Sequence, residues 1–252
     1  MLEAFKWRGF CGVRRPDKQR VIRVFWGLRH CLEDFAEGRS VAGFDVNGER
    51  FYVKRYRESL RFWRSLKSGS LRNAMLNEVS WLRRLDLDDA LAPKLWLFME
   101  RRVGRQVETL LVMSEVAGQP LAALEGKQFA LACASAVETI GSLHARGVAH
   151  GDCNLYNFLV GDEVRVIDFE RAAEITPVRA EADILKFFAR IKARGDGQLL
   201  EGLASHYLRV QPQPLFDIGR LVEELQMGDI KPVMTRWRPP QFFSISIGHQ
   251  GF

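Results

Sequence analysis

Apolar positions along the chain follow two rhythms, one of two residues and one of 3.6, and the rhythm changes from element to element. Val41, Phe44 and Val46 precede Asn47-Gly48. Phe51 and Val53 follow in rough alternation, with Tyr56 beyond. Asn-Gly between such runs predicts a two-residue hairpin with Lys54 on its second strand. Residues 73–85 change rhythm: Met75, Leu76, Val79 and Leu82 form a helical stripe beside Trp81, and Glu78 lies on the same predicted helix. Residues 91–99 and 107–113 read as two further strands joined across the polar stretch 100–106, and 114–119 break the pattern. Residues 129–146 predict a long helix with Phe129, Cys133, Ala136, Val137, Ile140 and Leu143 on one face. Cys133 is then a core thiol and His144 a helix-end residue. Helical patterning returns at 180–192, 199–210 and 215–226. The first 36 residues are basic and aromatic; 21–26 read as a strand, and 28–35 as a short helix or turn.

Residues 148–169 carry the chemistry. Phe158, Leu159 and Val160 form one apolar run, and Val164, Val166 and Ile167 lie in another, with Gly161-Asp162 as turn chemistry between them. Antiparallel pairing brings Asn157, just before the first strand, to the same end as Asp168, just after the second. Asp152 lies on the loop that leads in. A carboxylate, an amide and a second carboxylate therefore converge. That set suits a hard cation held by oxygen, with one carboxylate left to accept a proton.

Composition narrows the partners. The chain has 252 residues, 47% of them hydrophobic, and a formal charge of +6. It is long enough for a sizeable core and too apolar for disorder. The charge favours an anionic partner without choosing one. The four cysteines are scattered, with no C-x-x-C, which argues against a zinc site or a disulfide framework and fits a reducing cytoplasm. Cys153, beside Asp152, is a candidate for reaction with electrophiles but not for covalent catalysis. No apolar run approaches membrane-spanning length, so any membrane contact is expected to be peripheral.

H-G-D-x-x-x-x-N followed by I-D-F resembles the catalytic loop and metal-binding motif of the protein-kinase-like fold. Y-N-F-L-V and V-I-D-F-E-R-A make the segment most similar to the bacterial lipopolysaccharide core kinases, which phosphorylate heptose or Kdo; it also looks like the RIO group of atypical kinases. The resemblance implies an α+β, two-lobed kinase-like fold. An antiparallel N-lobe sheet with one helix would occupy residues 1–117, including a basic insertion at 54–72. A mainly helical, shortened C-lobe would occupy 118–252. It also implies ATP and Mg²⁺. Asp152 would orient a hydroxyl and accept its proton, and Asn157 and Asp168 would hold the metal. Lys54, held by Glu78, would steady the phosphates. Backbone groups of Glu115 and Ala117 would meet adenine, with Gly118 turning the chain. His150 would support the metal-binding segment. The G-x-G-x-x-G pattern is not met in register, and Gly38 and Ser40 are the candidates for a degenerate phosphate-covering turn at 37–40.

The acceptor side follows from cations and from a missing segment. Arg57, Arg61, Arg64 and Lys67 lie in the basic stretch 54–72, which is either a solvated insertion or a surface for a phosphorylated glycan or lipid. No A-P-E or long activation segment follows Asp168, which favours an open cleft near Arg171 over a peptide platform. Asp183 either hydrogen-bonds the catalytic loop or is an exposed helix acid. The expected function is ATP-dependent phosphorylation of a sugar hydroxyl, heptose favoured, in the lipopolysaccharide inner core, at the cytoplasmic membrane face. The expected partners are that core or another anionic glycan, and an anionic membrane surface; nucleic acid is not expected. The alternatives are a RIO-like protein serine kinase and a kinase-shaped binding protein.

Overall fold

The structure, a computed structural model, describes residues 2–7, 9–32, 39–59, 71–85 and 91–228. Their contacts divide them into two units, one drawn from 1–86 and 94–115, the other from 87–93 and 116–237.

The first unit contains β1 (Glu3–Trp7), β2 (Phe10–Arg14), α1 (Lys18–Leu32), β3 (Arg39–Val46), β4 (Glu49–Ser59), α2 (Leu71–Leu85), β5 (Leu95–Val103) and β6 (Gln106–Ser114). The six strands form one antiparallel sheet in the order β1-β2-β5-β6-β4-β3. The β3–β4 hairpin turns at Asn47 (φ 52) and Gly48 (φ 79), the paired left-handed conformations that this dipeptide accepts. Phe44, Phe51, Val53, Leu97, Leu110 and Val112 build a core on one face, closed by Val21, Val24 and Leu28 of α1. Each such side chain, once buried, contributes on the order of 1.5–3 kcal/mol. Lys54 alternates to the opposite face, where α2 packs through Met75, Val79 and Leu82.

Two expectations are corrected here. Residues 21–26 are not a strand but the middle of α1. Their β-branched and aromatic side chains favour a strand locally, yet the three- and four-residue spacing of Val21, Val24 and Leu28 lets a helix bury all three. The first strand after α2 begins at Leu95, later than 91, and runs through the polar residues Glu100, Arg101 and Arg102 to Val103, with a tight turn at Gly104-Arg105 before β6.

The second unit begins with β7 (Gln119–Pro120) and α3 (Gly126–Ala145). It continues through β8 (Val148–Ala149), β9 (Phe158–Val160), β10 (Val164–Val166), β11 (Ala173–Glu174), α4 (Pro177–Ala193), α5 (Leu200–Val210) and α6 (Ile218–Met227). The predicted β9–β10 hairpin is antiparallel, with Phe158 opposite Val166. β7 adds to its outer side, beside Gly118 at φ 131; a Cβ there would meet the Val160 carbonyl at 2.5 Å. α3 buries the stripe read from sequence, and Gly141 lets Val210 and Tyr207 of α5 approach. Thr176 caps α4 by accepting from the Arg179 N–H at 3.3 Å, with Pro177 in the first turn. No helix among the described residues is long and apolar enough to cross a membrane.

Candidate active site

In the first unit Lys54 Nζ donates to both carboxylate oxygens of Glu78, each at 2.8 Å. β4 supplies the lysine and α2 the glutamate. Lys54 is 7% exposed and Glu78 fully buried, so the pair is desolvated and its geometry fixed. Ser40 does not lie in a turn. It sits in β3 opposite Arg55, because the alternation that buries Ala42, Phe44 and Val46 carries the strand back to Arg39. Gly38 lies outside the described residues. The Glu115 N–H donates to the Arg50 carbonyl at 3.0 Å, and its side chain lies 3.7 Å from the Arg50 guanidinium.

Arg57 is held within the sheet. Glu108, 2% exposed, accepts from Arg57 at 3.1 Å, Arg55 at 2.8 Å and Arg101 at 2.7 Å. Register places Arg57 and Arg101 directly opposite Glu108 on its two neighbouring strands. Burial alone would raise the Glu108 pKa; the hydrogen bonds from Arg101 and Arg55 outweigh it and hold the carboxyl below its usual value. Arg61, Arg64 and Lys67 lie outside the described residues.

In the second unit the loop 150–157 is clamped from several sides. Asp183 on α4 is buried. Its Oδ2 accepts the His150 backbone N–H at 2.7 Å and its Oδ1 the Gly151 N–H at 2.8 Å. Gly151 has φ 74, and a Cβ there would lie 2.3 Å from the Arg171 carbonyl, so the loop packs against the segment after Asp168 as only glycine permits. The His150 ring takes the Asp152 N–H on Nδ1 at 3.3 Å and donates from Nε2 to the Ile167 carbonyl at 3.0 Å; this network fixes the tautomer. The ring also meets Phe169 edge-on at 5.0 Å.

Asn157 Nδ2 donates to the Asp152 carbonyl at 2.9 Å, and the Asn157 carbonyl accepts the Ile167 N–H at 2.9 Å. The residue before Asp168 is thereby tied to Asn157. Asp168 adopts a left-handed conformation, φ 72 and ψ 64, uncommon outside glycine and a form of strain that clusters at functional sites. Arg171 is exposed just beyond it.

Two contacts have no counterpart among the expectations from sequence, and a third settles one of them. Lys186 forms an ion pair with Asp152 Oδ1. His144 is not merely a helix end: it is buried, with Nε2 3.3 Å from Asp183 and Nδ1 2.7 Å from the Tyr207 hydroxyl. Asp183 is the loop clamp, the first of its two expected alternatives. Burial alone would raise its pKa, but the His144 hydrogen bond and the nearby imidazoles hold the carboxyl below its ordinary value. Only Lys186 had a local signal, since three residues after Asp183 is the same face of a helix. The reactivity expected of Cys153 is corrected: burial, with Asp183 nearby, pushes its thiol well above the usual range.

The sequence model of the lipopolysaccharide kinase (Kdo/WaaP) family matches residues 25–194, more than half of the chain. The protein belongs to this family. Its α+β architecture, an antiparallel sheet followed by a helical part, is the kinase-like fold that the family implies. Among solved structures, the bifunctional kinase-methyltransferase WbdD is similar with a TM-score of 0.48 and 17% identity, over 79% of this chain and 44% of that one. The chain thus spans less than half the length of that protein. No curated protein matches this chain.

Proposed function

We propose that this family member transfers the γ-phosphoryl group of ATP to a sugar hydroxyl of the lipopolysaccharide inner core, with heptose as the favoured sugar. The observation that carries the reading is the assembly of Asp152, Asn157 and Asp168 around one hairpin, with the loop held by Asp183. Family membership supplies the substrate class. In the reaction the bond from the γ-phosphorus to ADP oxygen breaks, a bond to the sugar oxygen forms, and the hydroxyl proton passes to Asp152. The protein's work is positioning and charge complementarity, because this transition state needs little covalent assistance.

The residues present fit a divalent cation. Asn157 Nδ2 is spent on the Asp152 carbonyl, which leaves the amide oxygen as its acceptor end, and Asp168 adds a carboxylate. Hard oxygen donors of this kind suit Mg²⁺. A cation held there supplies positive charge to the phosphates. Lys54, braced by Glu78, steadies the α- and β-phosphates, and the backbone at Glu115 and Ala117 meets the adenine edge. Residues 1–117 thus supply the nucleotide-binding sheet and helix with the basic stretch, and 118–252 the catalytic loop, the metal site and the acceptor cleft. Arg171 and the cations of the basic stretch after Lys54, Arg57 included, are the candidate contacts for the anionic glycan at the cytoplasmic face of the membrane.

The test incubates the protein with labelled ATP and either purified lipopolysaccharide core or generic proteins, followed by mass spectrometry of both mixtures. Phosphorylated core sugar with unmodified protein supports the reading. Serine phosphorylation with unmodified core would replace it with the protein-kinase alternative.

A further inference from the structure

We propose that Lys186 is a positioning residue for this transfer: it holds the Asp152 carboxylate in the orientation that receives the acceptor hydroxyl. The inference rests on the reading above and adds a residue to it. Three observations carry it.

The first is the contact. Lys186 Nζ pairs with Oδ1 of Asp152, which leaves Oδ2 for the hydroxyl and its proton. The second is the surroundings. The two side chains are 27% and 13% exposed, so the pair is partly withdrawn from water, unlike surface ion pairs, which contribute little. The third is the shared support. Lys186 stands one helical turn after Asp183, and α4 therefore presents two adjacent groups to one loop. The Asp183 carboxylate fixes the backbone of His150 and Gly151 just before Asp152, and the Lys186 ammonium fixes the Asp152 side chain. The backbone leading into the proton-accepting residue and that residue's side chain are thus registered against the same helix.

An aspartate without such a partner samples several rotamers, only one of which suits transfer. Lys186 selects one of them. It neither gives nor takes an atom in the reaction, and it acts through Asp152. Its loss should therefore appear in the transfer step and not in nucleotide binding.

The test uses the full chain, Mg-ATP and purified lipopolysaccharide core. Lys186→Met is expected to lower kcat on the order of 10–100-fold, as a misplaced catalytic group does. ATP affinity should stay within about twofold, because the nucleotide does not depend on this pair. Lys186→Arg, which keeps the charge, should recover most of the rate. Lys186→Gln carries the same expectation as methionine and replaces it if the methionine variant fails to fold. An unchanged kcat in Lys186→Met overturns the inference. So does an equal loss in the arginine and methionine variants accompanied by lost ATP binding and a lowered melting temperature, the signature of a structural role. A wild-type chain that does not phosphorylate the core brings down the proposed transfer to the core and this inference together, and is told apart because the wild type is silent before any substitution.

Discussion

Asp183 grips His150 from 33 positions further along the chain, its Oδ2 accepting the His150 backbone N–H at 2.7 Å while Oδ1 takes the next N–H, that of Gly151. One buried carboxylate thus fixes two consecutive peptide units immediately before Asp152. Tyr207 and His144 extend the connection to α5 and α3. The loop takes its shape from helices packed behind it.

Replacing Asp183 by Asn turns one acceptor into a donor that faces an N–H. The expected cost is about 1–3 kcal/mol for an orphaned buried donor, together with a fall in transfer. The cost depends on pH. The folded-state pKa of Asp183 lies below its ordinary value, so the unfolded chain binds more protons and stability rises with pH. This contribution is complete above the ordinary carboxylate value of about 4 and is lost as pH falls through the lower folded value. Urea unfolding of wild type and Asp183→Asn should show a gap that narrows in acid. A gap that holds constant to low pH would contradict the assignment.

Glu78→Gln tests the lysine brace. Lys54 loses a carboxylate that accepts from it twice at 2.8 Å, while the volume at the fully buried site is kept. Breaking a buried pair costs about 3–5 kcal/mol at most, and here the amide, still able to accept from Lys54, reduces the loss. Calorimetric titration should show weakened Mg-ATP binding, and unfolding should show lowered stability. Unaltered ATP affinity would remove Lys54 from the nucleotide's contacts.

Gly151→Ala should be poorly tolerated for two separate reasons. Its φ of 74 disfavours a side chain, and the new methyl would stand 2.3 Å from the Arg171 carbonyl. Strain of the first kind alone costs on the order of 1–3 kcal/mol. The loop must then shift away from the segment after Asp168, so transfer should fall more than stability. Thermal melting and a transfer assay on one preparation check this; a variant with wild-type values in both would show that the loop is not held as described.

What could be read from the sequence was whatever has a local signature. Asn47-Gly48 marks its own turn, and the stripes of α2 and α3 carry their own period. The spacing from Asp152 to Asn157 and on to Asp168 is contained in one hairpin. The pairing of Lys54 with Glu78 came from the resemblance to kinases, with the pattern supplying only the strand and the helix that carry them. Long-range partners have no such signature. Nothing near Arg57 tells of Glu108 on a strand 51 positions away, which makes that arginine part of the sheet's ion cluster as well as a candidate for glycan contact. Nothing near His144 tells of Tyr207. In α1 local propensity pointed to the wrong element, because burial of Val21, Val24 and Leu28 against the sheet outweighed it.

The most direct test of the central claim is phosphate transfer to purified lipopolysaccharide core from labelled ATP, measured for wild type, Asp152→Ala and Asp168→Ala beside their Mg-ATP affinities. The account predicts transfer by the wild type alone. Asp152→Ala should keep Mg-ATP binding, since the proposal gives Asp152 to the acceptor, and Asp168→Ala should weaken it, since the proposal makes Asp168 a metal ligand. Undiminished transfer by Asp152→Ala, or equal loss of Mg-ATP binding in the two variants, would contradict it.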